Sequence, residues 1–291
     1  MRIFNRDNSH QMKVVKFSGD IVEFDPEKLK KSLLKSGASQ LAVERILASI
    51  QSQIYNGITT KQIYKMAFGL LKKESNSHAA QYNLRAAIQM LGPAGFFFEK
   101  YIARLFITEG YKALTNLTLE GKCVTHEIDV VLKKDEELAI VECKFHASRD
   151  VISDVKIPMY ILSRFNDLKD RKQNIFTNSD MISKCWIVTN NRFSSDAIAF
   201  GNCSNMNMLS WDYPKKENLR HKIDTNKLYP VTCLTTLTLS EKDKLLVLDV
   251  VLASELIANS DSLRRIGISP NRIKNVLKEA SELCKLINHE S

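Results

Sequence analysis

The sequence predicts an α/β protein in three parts: a helical domain opened by a β-hairpin over residues 1–92, an α/β domain over residues 93–213, and a small helical domain over residues 214–291. Three observations predict it. A short alternating stretch gives way to four amphipathic helical patterns that stop at Gly92-Pro93. Buried-strand runs then alternate with helices, the pattern of an α/β sheet. After residue 213 the periodicity returns to helical.

In the first part, Val14-Val15-Lys16-Phe17 and Ile21-Val22-Glu23-Phe24 flank Ser18-Gly19-Asp20, the pattern of a hairpin and its turn. Asp25 is placed to cap a helix with Pro26 at its first position, and that helix carries Leu29, Leu33 and Leu34 and stops at Gly37. A second helix runs through Leu41, Ile46, Leu47, Ile50 and Ile54 to Gly57. A third starts at Thr59 or Thr60 with Ile63, Met66, Ala67 and Leu70, and a fourth is capped by Ser77.

The middle part opens with a helix bearing Phe97, Phe98, Tyr101, Ile102, Leu105 and Phe106 and closed by Gly110. Strands follow over Val124 to Leu132 and Leu138 to Phe145, joined by a charged turn. A helix over Ile152 to Leu168, a strand at Trp186 to Thr189, a helix over Ser195 to Phe200 and a strand at Met206 to Leu209 complete it. In the last part, Ser240 to Asp243 starts one helix. Ser269-Pro270 starts another that ends near Ile287. No internal repeat or low-complexity tract occurs.

Apolar residues at 44% and charged residues at 26% fit a globular chain of 291 residues, long enough for two or three domains. No window reads as a membrane span and the first residues are polar, so the expected location is the cytoplasm. The six cysteines are scattered and none forms C-x-x-C, which excludes a zinc ribbon or a redox pair and leaves buried reduced thiols. The net charge is +9, distributed as +7, −1 and +3 over the three parts. A polyanionic ligand is therefore expected at the flanking parts.

The run Leu138-Ala139-Ile140-Val141 enters Glu142-Cys143-Lys144. Strand alternation puts the carboxylate and the amine on one face, at the end of a strand that is apolar on both. Asp129 sits on the preceding strand, and if the two strands pair it approaches Glu142. Two carboxylates at a buried sheet edge repel unless a cation joins them. Such oxygen ligands suit Mg²⁺ or Mn²⁺. Lys144 can then hold the attacking water or offset charge on a phosphate, and Glu99, on the aromatic helix, can complete the metal shell.

Together with these residues, Gly95-Phe96-Phe97-Phe98-Glu99, Gly110-Tyr111, His126 to Val130 and Val141 to Lys144 resemble the Mrr-type restriction endonuclease domain of the PD-(D/E)XK nucleases. Ile187 to Asn190, Phe193 and Ala197 extend the likeness to about 120 residues. The resemblance implies Mg²⁺-dependent cleavage of double-stranded DNA. It implies Asp129, Glu142 and Lys144 as catalytic, with Glu99 as a supporting carboxylate. One departure is that His126 and Glu127 precede Asp129 in place of a glycine-rich turn.

The first part is similar to an ATP-cone. The matching residues are Val14-Val15-Lys16, Gly19, Glu23-Phe24-Asp25, Lys28, Gly57 to Thr60, Ile63 and Ala79 to Arg85. The resemblance implies ATP or dATP as a regulatory ligand held around Val14, Val15, Lys16, Gly19, Lys28, Thr60 and Tyr64. Cations beside a helix N-terminus suit phosphates. Two departures are Phe17, where many cones have Arg, and Tyr64, where many have His. In the tail, Leu263 to Pro270 with Ile273 and Val276 resembles a helix-hairpin-helix element, which implies phosphate contacts through Arg264, Arg265, Arg272 and Lys274.

The expectation is a nucleotide-regulated DNA endonuclease acting on foreign DNA, self-associating by analogy with both families. A nucleotide-gated DNA binder with a vestigial site, and an RNA-cleaving enzyme, are the alternatives.

Overall fold

Asp25 accepts hydrogen bonds from Glu27 N and Lys28 N, and Pro26 needs no donor, so a helix starts where the sequence places it. The computed structural model describes residues 12–16, 18–92 and 95–285. Phe17, Pro93 and the expected helix end near Ile287 lie outside the described residues. The chain divides into two compact units, one up to Asn83 and one from Leu84 to Lys285.

In the first unit, β1 (Lys13–Val15) and β2 (Ile21–Glu23) form the hairpin, and Gly19 supplies φ +89° in its turn. Helices α1 (Pro26–Leu34) and α2 (Gln40–Gln51) follow. The sequence reading omits β3 (Ile58–Thr59), which lies parallel to β1 and makes the sheet three-stranded. Two residues carry too little periodicity to announce a strand. Thr59 is also the cap of α3 (Thr60–Glu74), with its hydroxyl and the Gln62 side chain forming a reciprocal capping box. Ser75, not Ser77, caps the next helix: its hydroxyl accepts from His78 N, while Ser77 is buried inside the first turn. That helix is two helices, α4 (Asn76–Tyr82) and α5 (Leu84–Gln89), with a break at Asn83. Val14, Leu33, Val43, Ile50, Ile63 and Leu71 pack in the core of the first unit.

The second unit begins with α5 and continues with α6 (Phe96–Thr108). Its sheet starts from β4 (Lys112–Glu120), β5 (Thr125–Lys134) and β6 (Glu137–Lys144), each antiparallel to the next. The reading misses β4. It is an edge strand whose residues are nearly all exposed or half-exposed, so burial does not mark it. A short strand β7 (Ile152–Ser153) precedes α7 (Lys156–Leu168), where the sequence suggests helix throughout. Then come β8 (Lys172–Gln173), β9 (Asp180–Thr189), β10 (Arg192–Phe193), α8 (Ser195–Cys203) and β11 (Asn207–Leu209). The sheet order is β11-β9-β6-β5-β4, with β6, β9 and β11 parallel, and β10 pairs with β7 apart from it.

Leu138 and Ile140 share a core with Ile161 and Leu168 of α7 and Ala197 of α8. On the other face Trp186, the register partner of Val141, meets Phe106 of α6 at 5.1 Å between ring centroids. The tail contributes α9 (Leu219–Asn226), α10 (Leu239–Val247), α11 (Ala253–Ala258), α12 (Asp261–Arg265) and α13 (Pro270–Lys285). These residues pack within the second unit. Tyr101 Oη donates to the Leu228 carbonyl, Arg104 pairs with Asp249 and Glu255, and the Thr232 hydroxyl donates to the Ala87 carbonyl. Among the described residues no helix is long and apolar enough to cross a membrane.

Candidate active site

Strand β6 carries a fully buried run from Leu138 to Val141, which fixes it in the middle of the sheet. Its pairing with β5 ends at Val130↔Val141, whereas β5 stays paired with β4 as far as Thr125. The two strands therefore part just beyond Val130 and Val141. Continued by one residue, the register sets Asp129 opposite Glu142 on the same face. Opposite Asp129 on the other side, Asn116 occupies the left-handed region (φ 56°) and interrupts the β4–β5 ladder. Where the ladder stops, Cys143 N donates to Asp129 Oδ2 at 2.7 Å, so the aspartate takes up a backbone group next to the fork.

Glu142 is 1% exposed and shares its strand face with the half-buried Lys144. Glu99 arrives from the first turn of α6. Phe145 anchors that end. It packs on Phe98 at 5.8 Å, and a Cβ on Gly92 would lie 2.1 Å from its ring. Burial first, and the neighbouring Asp129 second, push the carboxyls of both Glu99 and Glu142 up to about 7. Asp129 is also raised, chiefly by burial, against the opposing pull of the Cys143 N–H and Lys144.

The cation that faces Glu142 is one the sequence reading did not select. Arg164 of α7 places Nη1 2.7 Å from Glu142 Oε1, and its Nη2 donates to the Glu127 carbonyl. Yet Glu142 Oε1 and Arg164 Nε are both buried without a hydrogen-bond partner. The separation is that of an ion pair, but no N–H is aimed along it. Glu142 Oε1 is thus held by charge at contact distance and not by an aligned hydrogen bond. The signal was present in the sequence. Ile157, Ile161, Arg164 and Leu168 fall on one helical stripe, and a lone arginine on an apolar stripe needs a buried anion.

Asn190 and Asn191, fully buried after β9, knit the loop that follows Lys144. Asn190 joins both His146 backbone groups, and Asn191 Nδ2 donates to the carbonyls of Ser148 and Val151. His146 Nε2 meets Ser153 Oγ at 2.9 Å, and burial followed by Lys144 lowers its pKa. His126 is held by Asp167, which also accepts from Cys123 N and Val124 N, and so serves the β4–β5 turn.

Does this donor set fit a divalent metal? Two neighbouring carboxylates at a strand fork, both raised by burial, fit a hard cation. Among the described residues no three His, Cys, Asp or Glu side chains are placed to hold a metal together. The carboxylates on offer are Asp129 and Glu142, with Glu99 near enough to raise Glu142 and to be raised by Asp129. Mg²⁺ commonly takes one or two carboxylates and keeps its waters.

In the first unit, Val14 is buried in the core, while Val15 and Lys16 lead out of β1. Val15 pairs with Thr59, and one further step of that register brings Lys16 beside Thr60 at the start of α3. Lys28 is exposed and pairs with Asp25 at 3.5 Å. Tyr64 stacks on Tyr82 and its hydroxyl donates to Asn83 Oδ1 at 2.6 Å, so it faces its own unit's interior. In the tail, α12 and α13 meet at Gly267, which adopts φ +86°. Arg265 and Lys274 are exposed, and Arg264 pairs with Asp261. Arg272 departs from its expected place at a phosphate: it grips both oxygens of Glu241 and the Thr236 carbonyl, closing α13 onto α10.

Three family models match in order. The ATP cone domain covers residues 12–88, the Mrr-type restriction endonuclease domain residues 93–214, and the AF1548-like C-terminal domain residues 229–284. An uncharacterized protein of Archaeoglobus fulgidus is 33% identical over 183 residues, which is 62% of this chain and 99% of the relative. The crystal structure of AF1548, a protein of unknown function, aligns with a TM-score of 0.54 at 31% identity, covering 65% of this chain and 97% of that one. Can2 from Sulfobacillus thermosulfidooxidans, solved with cyclic tetra-adenylate, aligns with a TM-score of 0.34 at 16% identity over 68% of this chain and 54% of its own, too slight a likeness to argue from. The order of domains and the near-complete coverage of the archaeal relative make this chain a member of the AF1548-like family, with an ATP cone ahead of an Mrr-type restriction endonuclease domain.

Proposed function

We propose that the chain is a metal-dependent endonuclease that hydrolyses double-stranded DNA under the control of ATP or dATP, and that it restricts foreign DNA. One observation carries the reading: where β5 and β6 part, Asp129 accepts from Cys143 N next to the buried Glu142, and its charge raises the Glu142 carboxyl. Bound there, Mg²⁺ or Mn²⁺ would supply Lewis-acid activation of water and screening of the scissile phosphate. Asp129 uses Oδ2 for Cys143 N, which leaves Oδ1 to ligate, and Glu142 contributes its carboxylate in competition with Arg164. Lys144, on the Glu142 face, orients the attacking water and offsets charge as the new P–O bond forms and the P–O3′ bond breaks. Glu99 supports the pair as a third carboxylate.

Cleavage of plasmid with Mg²⁺ or Mn²⁺, with and without ATP or dATP, tests this. Asp129→Ala should reduce the rate by at least about a hundredfold, as expected when a charge-stabilising group is lost. Cleavage that survives Asp129→Ala, or none under any nucleotide, overturns it. Comparing matched DNA and RNA duplexes separates the RNA-cleaving alternative. A specific observation favours a second reading. Arg164 already sits against Glu142, so a site closed to metal would leave a nucleotide-gated DNA binder. Equal duplex affinity with and without Mg²⁺, and no hydrolysis, would favour that reading. Cytoplasmic location and self-association belong to the same proposal.

A further inference from the structure

The three parallel strands β6, β9 and β11 end on the same side of the sheet, and the segments that follow them carry Arg149, Arg192 and Trp211. Carboxyl ends of parallel strands are where α/β sheets bind ligands. Helix α5 brings Arg85 to this place, with its guanidinium 5.5 Å from the centre of the Trp211 ring. Gln89, one turn along α5, accepts from Arg149 Nε at 2.8 Å. Arg85 Nε, Arg85 Nη2 and Gln89 Nε2 are closed to solvent and have no acceptor.

Buried donors without acceptors are expensive, and here three fall in one place among three guanidinium groups. Burial, then Arg149 and Arg192, pull the Arg85 pKa down, the mark of a positive field that Asp212 and Asp150 do not balance. Asp212 lies 3.9 Å from Arg192. The unsatisfied amide oxygen of Asn191 is neutral and cannot offset the charge. What the place lacks is an anionic acceptor that takes several N–H bonds at once. A phosphate does this, and guanidinium forks match its geometry. Lys144 ends β6, and Arg149 is in the segment that leaves it, so a strand lying across this edge meets both.

We propose that Arg85, Gln89, Arg149 and Arg192 form a phosphate-binding site that clamps the backbone of the nucleic acid strand entering the candidate active site. The clamp rests on the nuclease reading for the identity of its ligand. It belongs to the second unit, and Arg85 alone of its residues also falls in the stretch that matches the ATP cone.

The experiment measures binding of a labelled DNA duplex to the full chain in chelator, where no hydrolysis occurs, across a range of salt. Arg85→Gln, Arg149→Gln and Arg192→Gln are compared with the parent, each checked for folding by its melting curve. Each folded variant should bind roughly tenfold more weakly and lose about one unit of the log–log salt slope, as for one lost phosphate contact. If Arg85→Gln does not fold, Arg192→Gln decides, because that side chain is 54% exposed. Unchanged affinity and slope in folded variants overturn the clamp. So does loss of inorganic phosphate or mononucleotide binding with duplex binding intact, since that marks a site for a free anion. A parent protein that never cleaves but whose variants lose duplex affinity sinks the nuclease reading and leaves the clamp standing.

Discussion

Glu142 is a carboxylate with almost no access to water, and its nearest cation is not aimed at it. An arginine so placed competes with a divalent ion for the same oxygen. Arg164→Gln should therefore tighten Mn²⁺ binding, read by calorimetry, by roughly tenfold, the equivalent of one pK unit of charge interaction. Weaker binding would instead make Arg164 a support of the metal site. The raised carboxyls of Glu142 and Glu99 also set a pH dependence. Both are protonated in folded and unfolded chains at low pH, and their contribution there is complete. As pH rises from the ordinary glutamate range through about 7, the unfolded chain ionises first and the folded state loses stability. The melting temperature without metal should fall across that interval, and Mn²⁺ or Glu142→Gln should flatten the fall. The lowered carboxyls of Asp167 and Asp180 act at lower pH and do not obscure it. Asp129, Glu142 and Lys144 were legible as residues because strand alternation and an apolar lead-in suffice to place them. Arg164 was missed because its partner is distant in sequence, although its place on the α7 stripe was a readable anomaly.

At the scale of elements, the tight spot is where α6 meets the end of β6. Gly92→Ala would drive a Cβ to 2.1 Å from the Phe145 ring. The ring must move, and an overpacked contact of this kind costs about 1–3 kcal/mol. The displacement should also disturb Glu99 and Lys144, so cleavage should fall more than stability alone explains. A melting shift with full activity would refute that link. Capped helices and two-faced apolar strands were legible, as α1 and β6 show, since their signals are local. The edge strand β4, the two-residue β3 and the split between α4 and α5 were not. Each depends on pairing or burial that only the assembled fold supplies.

For the molecule as a whole, the three-part reading follows changes in periodicity, and three family models fall on those parts in order. Sequence could not show which residues α5 would pack with, because its pattern continues the helices before it. The ATP cone model extends to residue 88, yet the compact division falls after Asn83. Where the chain is divided for separate expression therefore matters. A fragment starting at residue 93, the edge suggested by the restriction endonuclease match, would strip Ala87 from Thr232 and Gln89 from Arg149. One starting at Leu84 keeps both. The longer piece should unfold in a single sharp transition, while the shorter one should melt early or precipitate, its newly bared apolar groove sticky and its loop after Lys144 adrift.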